Sequence, residues 1–261
     1  MDEHALLKGA ILDKARTRDA EYRITNTTFL TPAQRVEAEA IARTEHLYPG
    51  CFFYGGYPDA ERTVCVLAPD YVEADSAEAL GEYFAQDPDL CPLCVIRARK
   101  DAFSTLAHRD YLGALLGLGI RREMIGDLLV SDDGCDIIAL KQIAKYLLEN
   151  FTSAGHATLT CSVEEIGNLK ITQAAGKEIF ISVKSPRIDA VLSACFGLSR
   201  SLAAQAVECG IVFVNSVPAA KPEKQLSAGD TVTLRGKGKC KIKSMDGTTK
   251  SGRIKMIAEK F

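Results

Sequence analysis

Arg187, Ser199, Arg200, Ser201 and Gln205, followed by Lys221, Lys224, Arg235, Lys237, Lys239, Lys241 and Lys243, are the residues whose types and spacing converge on one chemistry. They are cations, hydroxyls and an amide, the groups that hold phosphate oxygens. Ser199, Arg200 and Ser201 open a helix, where free backbone N–H groups and the positive dipole end favour an anion. Gln205 follows Ser201 by four residues and shares its face. Arg187 falls in the first turn of the preceding helix, and Asp189 orients Arg187 or caps that helix. Taken singly, Arg187 is an ion-pair partner and Ser199 a cap. Taken together with the lysines, the set reads as a nucleic-acid contact. Lys250, Arg253, Lys255 and Lys260 read as a solvated strand face.

The elements that must position these groups are legible. Ser185 and Pro186 suit an N-cap and a first helical position. Ile188, Val191, Leu192 and Cys195 give the helix an apolar face. Phe196-Gly197-Leu198 breaks it, Ser199 caps a second short helix, and Gly210 stops that one. Ile211–Val214 then reads as a strand, Asn215-Ser216 as a turn, and Thr231–Arg235 as a strand after the Gly229-Asp230 turn. The pattern predicts a helix pair on a small sheet.

The stretch SPRIDAVLSACFGLSRSLAAQAVECGIVFVNSVPAAKPEKQLSAGDTVTLRGKGKCKI resembles the alpha-L RNA-binding motif, the module named after small-subunit ribosomal protein S-four. The resemblance rests on the Arg-x-Asp opening, the Ser-Arg-Ser turn, the strand ending in Val214-Asn215, a Lys-Pro pair, and a Gly-Asp turn with a following Arg. Ser216 stands where glycine is usual, and a KGKCK run fills the last loop. The module implies RNA binding.

Charge is divided along the chain. Residues 181–261 carry 14 Lys+Arg against 6 Asp+Glu, whereas residues 1–180 carry 18 against 28. A net −2 overall therefore hides a basic C-terminal segment behind an acidic front, which suits local rather than indiscriminate phosphate binding. No run approaches a membrane span and the first residues lack a signal-length apolar core, so a cytoplasmic protein is expected. The nine cysteines sit mostly in apolar patterns such as Val64-Cys65-Val66 and read as reduced core thiols. Cys91-Pro92-Leu93-Cys94 has no second pair or histidine cluster at ligand spacing, so two buried thiols are expected and no metal or cofactor.

From the N-terminus, Leu6, Leu7, Ala10, Ile11 and Ala15 mark a first amphipathic helix, and Thr31-Pro32 starts a second that carries Val36, Ala40 and Ile41. The stretch from Thr25 to Leu30 reads as a connection. Cys51–Tyr54 and Thr63–Leu67 form a hairpin, whose aromatics are read as core rather than base-stacking rings. Next come a strand (Leu93–Ala98), a helix (Ser104–Leu118), two strands (Ile125–Val130, Cys135–Leu140), a helix (Lys141–Phe151) and a strand (Ala157–Val163). That order is ferredoxin-like. It is also the order of an RNA-recognition domain, yet the central strands carry no aromatic residue for stacking, so RNA contact here would fall to Arg97, Arg99, Lys100, Arg109, Arg121 or Arg122. The expected class is α+β in three domains: residues 1–86, 87–180 and 181–261.

Three motifs in this region fail on inspection. His108-Arg109-Asp110 starts like a kinase catalytic loop, but Leu115 stands where a metal-binding Asn belongs. Gly117-Leu118-Gly119 starts a dinucleotide fingerprint that Arg122 breaks. Gly113 and Gly117 have membrane-dimer spacing in a stretch too short to span, and are read as close-packing positions. His108 is read as a capping or core residue.

Over the full length, FFYGGYPDAERTV, HRDYLGALLGLGIRREMIGDLLV and the C-terminal module, in that order, resemble the bacterial YlmH family of RNA-binding proteins. That family is linked to cell division through its gene neighbourhood and is associated with ribosomes and with stalled large subunits. The resemblance implies a non-catalytic protein that binds rRNA and tRNA on the large ribosomal subunit, with Arg187 and Arg200 as main phosphate contacts. It implies no small-molecule substrate and no membrane partner. Two other classes are weighed against it. An RNA-modification factor would need a catalytic aspartate loop or cofactor loop, and the first 180 residues show neither; a cell-division adaptor anchored to a membrane would need a polybasic segment, which the acidic front lacks.

Overall fold

The structure is a computed structural model and describes residues 2–58, 60–169, 176–215, 217–235, 237–249 and 251–261. The chain forms two compact units, Met1–Thr172 and Gln173–Phe261.

The first unit opens with α1 (Glu3–Glu21), β1 (Thr25–Leu30), α2 (Pro32–Thr44), β2 (Cys51–Tyr54), β3 (Thr63–Leu67) and α3 (Ala77–Gln86). Thr31 and Gln34 close a capping box ahead of Pro32, and Ser76 caps α3. The strands pair antiparallel in the order β1-β3-β2. The hairpin of β2 and β3 is as expected, but the supposed connection at Thr25–Leu30 is a third strand. Its threonines hide the alternation. Thr25 and Thr27 are buried, Thr25 Oγ1 donates to the Lys14 carbonyl, and Thr27 Oγ1 accepts from the Cys65 N–H. A register shift between Asn26 and Phe29 further blurs the period.

Next come β4 (Leu93–Lys100), α4 (His108–Gly117), β5 (Ile125–Ser131), β6 (Gly134–Leu140), α5 (Ala144–Asn150), β7 (Ser153–Ala154) and β8 (Ala157–Glu164). The sheet order is β5-β6-β4-β8-β7, antiparallel throughout, which is the ferredoxin-like order with β7 added at one edge. Helix α4 starts later than the periodicity suggests, because Asp101 takes the N–H groups of Phe103 and Ser104 into a turn. Gly113 and Gly117 face open space, so close packing is not their role.

Both faces of the three-stranded sheet are covered. Cys51, Phe53, Cys65 and Leu67 pack with Ile11, Ala38 and Ile41. Phe29, Phe52, Tyr54, Val64 and Val66 join one buried cluster with Leu93, Ile96, Ile125 and Ile137 of the ferredoxin-like part. Gly126 lets the Phe29 ring in; a Cβ there would lie 2.7 Å from it. The boundary expected after residue 86 therefore runs through a single core.

The second unit comprises β9 (Lys177–Val183), α6 (Ile188–Phe196), α7 (Arg200–Glu208), β10 (Val212–Val214), β11 (Val217–Pro218), β12 (Thr231–Leu234), β13 (Gly238–Thr248) and β14 (Ile254–Lys260). The strands form an antiparallel sheet in the order β11-β10-β12-β13-β14-β9. β9 crosses the boundary expected at residue 180 and belongs whole to this unit. Val191, Leu192 and Cys195 of α6 and Ala203 and Val207 of α7 cover Val212, Val232, Cys240 and Met256. Among the described residues no single helix is long and apolar enough to cross a membrane.

Phe29→Ala should lower the stability of the first unit by about 3–5 kcal/mol. Amide exchange is the check: protection should fall together in β2, β3, β4 and β6, because one core serves them all. Unchanged protection in β4 and β6 would mean that the two parts fold separately.

Candidate nucleic-acid interface

Local backbone geometry sets the site. The loop Lys221–Gln225 is tied to the entry of α6: Ile188 and Asp189 donate their N–H groups to the carbonyls of Lys224 and Pro222, and Leu226 donates to Pro186. These bonds occupy the entry, so α6 begins at Ile188 with Arg187 at the N-cap, two residues beyond the start suggested by Ser185-Pro186. At the other end Gly197 turns left-handed (φ 65°), and both it and Leu198 donate to the Ser193 carbonyl. The chain bends by 117° between α6 and α7. Ser199 caps α7, accepting from the Leu202 N–H at 3.2 Å, and Gly210 and Ile211 close the C-terminus by donating to the carbonyls of Val207 and Ala206.

This bend brings two arginines onto one carboxylate. Arg187 donates through Nε and Nη2 to the two oxygens of Asp189, both at 3.1 Å, and Arg200 donates to Asp189 Oδ2 at 2.7 Å. The Asp189 side chain is 8% exposed, whereas those of Arg187 and Arg200 are 38% and 50% exposed. Burial pushes the Asp189 carboxyl up, but the hydrogen bonds and charges of Arg187 and Arg200 outweigh it and hold the group below its ordinary value. The carboxylate fixes one end of each guanidinium and leaves the rest of both side chains facing water. The sequence paired Asp189 with Arg187; it gave no sign of Arg200, which comes to Asp189 only through the turn between the helices.

Ser199 and Ser201 hydroxyls lie 3.0 Å apart at the exposed start of α7, and Gln205 is exposed one turn on. Lys221 and Lys224 are exposed on the loop pinned to Pro186–Asp189. Arg235, Lys237, Lys239 and Lys241 lie elsewhere. Lys239 and Lys241 alternate with the buried Cys240 and Ile242, so they project from the sheet face opposite the helices. Arg235 lies over the Phe213 ring on that side (4.9 Å), Lys239 over Phe261 (5.1 Å), and Lys237 is exposed in the preceding turn. The positive surface thus has two faces, a division that strand register sets and residue order alone does not show. Lys260 packs over Phe196 at 5.1 Å, and Arg253 donates to the Ser182 carbonyl. Lys250 lies outside the described residues.

In the first unit, two arginines expected to face RNA are internal. Arg97 is bidentate on buried Asp136 at 2.9 Å and donates to the Asn168 carbonyl, and Arg122 bonds the carbonyls of Ile125 and Gly126. Arg99 pairs with Asp133, while Arg109 and Arg121 are largely exposed. Cys91 and Cys94 are buried and their thiols are pushed up to about 11 by that burial, which suits core residues rather than a reactive dithiol. The described residues contain no group of three or more side chains placed to hold a metal ion.

Comparison with known proteins finds two domains in the chain. Residues 92–168 match a family described as "Putative RNA-binding domain in YlmH", and residues 186–232 match the S4 domain. The chain is 29% identical over 259 residues, 99% of its length and 95% of the relative's, to the ribosome-associated protein quality control protein P2 of Bacillus subtilis (strain 168). A solved structure titled cell division protein ylmH from Streptococcus pneumoniae is 17% identical, covers 64% of this chain and 94% of that one, and has a TM-score of 0.49, too loose a likeness to argue from.

Asp189→Asn keeps the shape of the anchor and removes its charge, and near neutral pH it should lower the stability of the second unit by about 1–3 kcal/mol. The folded carboxyl lies below its unfolded value, so its stabilisation is present above that unfolded value of about 3.9 and is lost as pH falls through the folded one. Urea unfolding of both proteins should therefore show a gap at neutral pH that closes in the acid range.

Proposed function

We propose that this chain, whose residues 92–168 match the putative RNA-binding domain in YlmH and whose residues 186–232 match the S4 domain, is a YlmH-family RNA-binding protein that binds rRNA and tRNA on the large ribosomal subunit in the quality control of stalled subunits. The observation that carries the reading is the pair of guanidiniums held by buried Asp189 beside the open N-terminus of α7. Arg187 and Arg200 contact phosphate oxygens, Ser199 and Ser201 with the α7 N–H groups take a neighbouring phosphate, and Gln205, Lys221 and Lys224 extend the grip. These groups recognise a backbone, and the anchored pair fixes where it lies.

The protein works by binding and positioning, with no chemistry of its own and no cofactor. The relative's name, ribosome-associated protein quality control protein P2, supports the assignment to ribosomes and hence to the cytoplasm. The acidic balance of residues 1–180 supports it as well, because it confines strong phosphate attraction to the C-terminal unit.

Wild-type protein in a ribosome gradient should travel with free large subunits and cross-link to rRNA and tRNA, and an Arg187→Ala, Arg200→Ala double variant should stay at the top. Affinity for the isolated RNA should fall with salt at a log–log slope of about −4 to −5, set by about five phosphate contacts, and each arginine removed should flatten it by about 1. A slope near zero, or wild-type protein that never leaves the top of the gradient, would contradict the proposal.

A further inference from the structure

The helix side of the C-terminal sheet is closed by α6 and α7, yet its other side is patterned too. Register places Phe213, Thr233 and Lys239 in one row across β10, β12 and β13. Lys239 and Phe261 exchange backbone hydrogen bonds, which extends the row past the end of β14. Along the strands, Phe180 of β9 lies opposite Ile257 of β14 on the same side, while Ile179, Ile181, Met256 and Ala258 turn toward the core. Phe180 is 76% exposed, the second most exposed large apolar side chain among the described residues after Phe103, which sits in a loop. A groove of about 410 Å³ beside it is lined by Ser182, Asp246, Lys255 and Ile257.

Cations are interleaved with these rings. Arg235 lies over Phe213, Lys239 over Phe261, Lys241 follows Lys239 on the same face, and Lys255 stands opposite Ser182 beside Phe180. Lys243 is the fifth, paired at 3.0 Å with Glu259; Glu178 and the groove's Asp246 are the other carboxylates on this face. Five cations against three carboxylates leave the face positive. The interleaving breaks the apolar surface into single rings, so a protein partner would bury lysines with each ring. It suits a chain that alternates flat apolar groups with anions.

From this arrangement we propose that the outer sheet face binds an unpaired stretch of RNA. Bases stack on Phe180, Phe213 and Phe261 or on the Arg235 guanidinium, and phosphates lie along Lys239, Lys241 and Lys255. A duplex does not fit, because its bases are stacked on one another and offer no free faces. The inference rests on the reading that this unit binds RNA but uses a surface separate from the Arg187–Asp189–Arg200 cluster. The S4 unit then holds two RNA segments at once, a structured one on its helix side and a single strand on its sheet side.

The chain has no tryptophan, so Phe180→Trp in the full chain gives a single reporter at an exposed position. A short oligouridylate should quench its emission saturably, and a duplex RNA of the same length should not. Phe180→Ala should weaken oligouridylate binding about fivefold or more, the loss of one base stack, and Lys239→Ala with Lys241→Ala should remove the quenching. Adding an excess of unlabelled duplex RNA, which occupies the helix side, should leave the oligouridylate quenching intact. Loss of the signal on that addition, equal quenching by duplex, or a response to a partner protein but not to oligouridylate would each overturn the proposal. If oligouridylate fails while wild-type protein still travels with large subunits, the outer face is refuted and the helix-side reading stands.

Discussion

One buried carboxylate constrains the C-terminal unit. Asp189 sits in the first turn of α6 with only 8% of its side chain exposed, and a charge so placed is tolerable only with partners. Its partners come from two directions: Arg187 from the N-cap of the same helix, and Arg200 from the first residue of the next. The second is in reach only because Gly197 ends α6 abruptly, the chain turns through 117°, and Ser199 restarts it. The turn, the cap and the apolar face of both helices therefore serve the same end, which is to hold two guanidiniums side by side before any ligand arrives. Restricting them in advance lowers the entropy that binding must remove.

The first unit uses its arginines differently. Arg97 is locked to Asp136, and Arg62 and Arg122 satisfy strand carbonyls of Phe29, Ile125 and Gly126 where the two sheets of that unit meet. These cations join the parts of a shared core and present little free charge. The phosphate-ready surface that the structure does build lies in the second unit, in keeping with the opposite charge balances of the two segments.

Much of this was legible in the residues. Ser199 as a cap, Gly197 and Gly210 as helix stops, and the ferredoxin-like order could be read because caps, glycines and hydrophobic periods are local signals. Strand β1 escaped because its buried positions are threonines satisfied by Lys14 and Cys65, which a count of apolar residues cannot see. The start of α6 was misplaced because its first N–H groups bond to a loop more than thirty residues away. Arg97 looked like a surface cation until its distant partners Asp136 and Asn168 were known, and Arg122 until its side chain was seen to fold back onto the Ile125 and Gly126 carbonyls. The division of the basic residues between helix side and sheet side was out of reach for the same reason: it depends on register, which Cys240 and Ile242 fix only once β13 is paired with its neighbours.

The central claim is that Asp189 organises its two arginines for RNA, and affinity for ribosomal RNA in Asp189→Asn tests it most directly, with the fold verified by its amide spectrum. The substitution removes a negative charge from a basic surface, so attraction by net charge alone would tighten binding. Preorganisation by the carboxylate predicts the opposite: binding weaker by about tenfold, or about 1.4 kcal/mol, with the salt slope little changed. Equal or tighter binding by a folded Asp189→Asn protein would contradict the account.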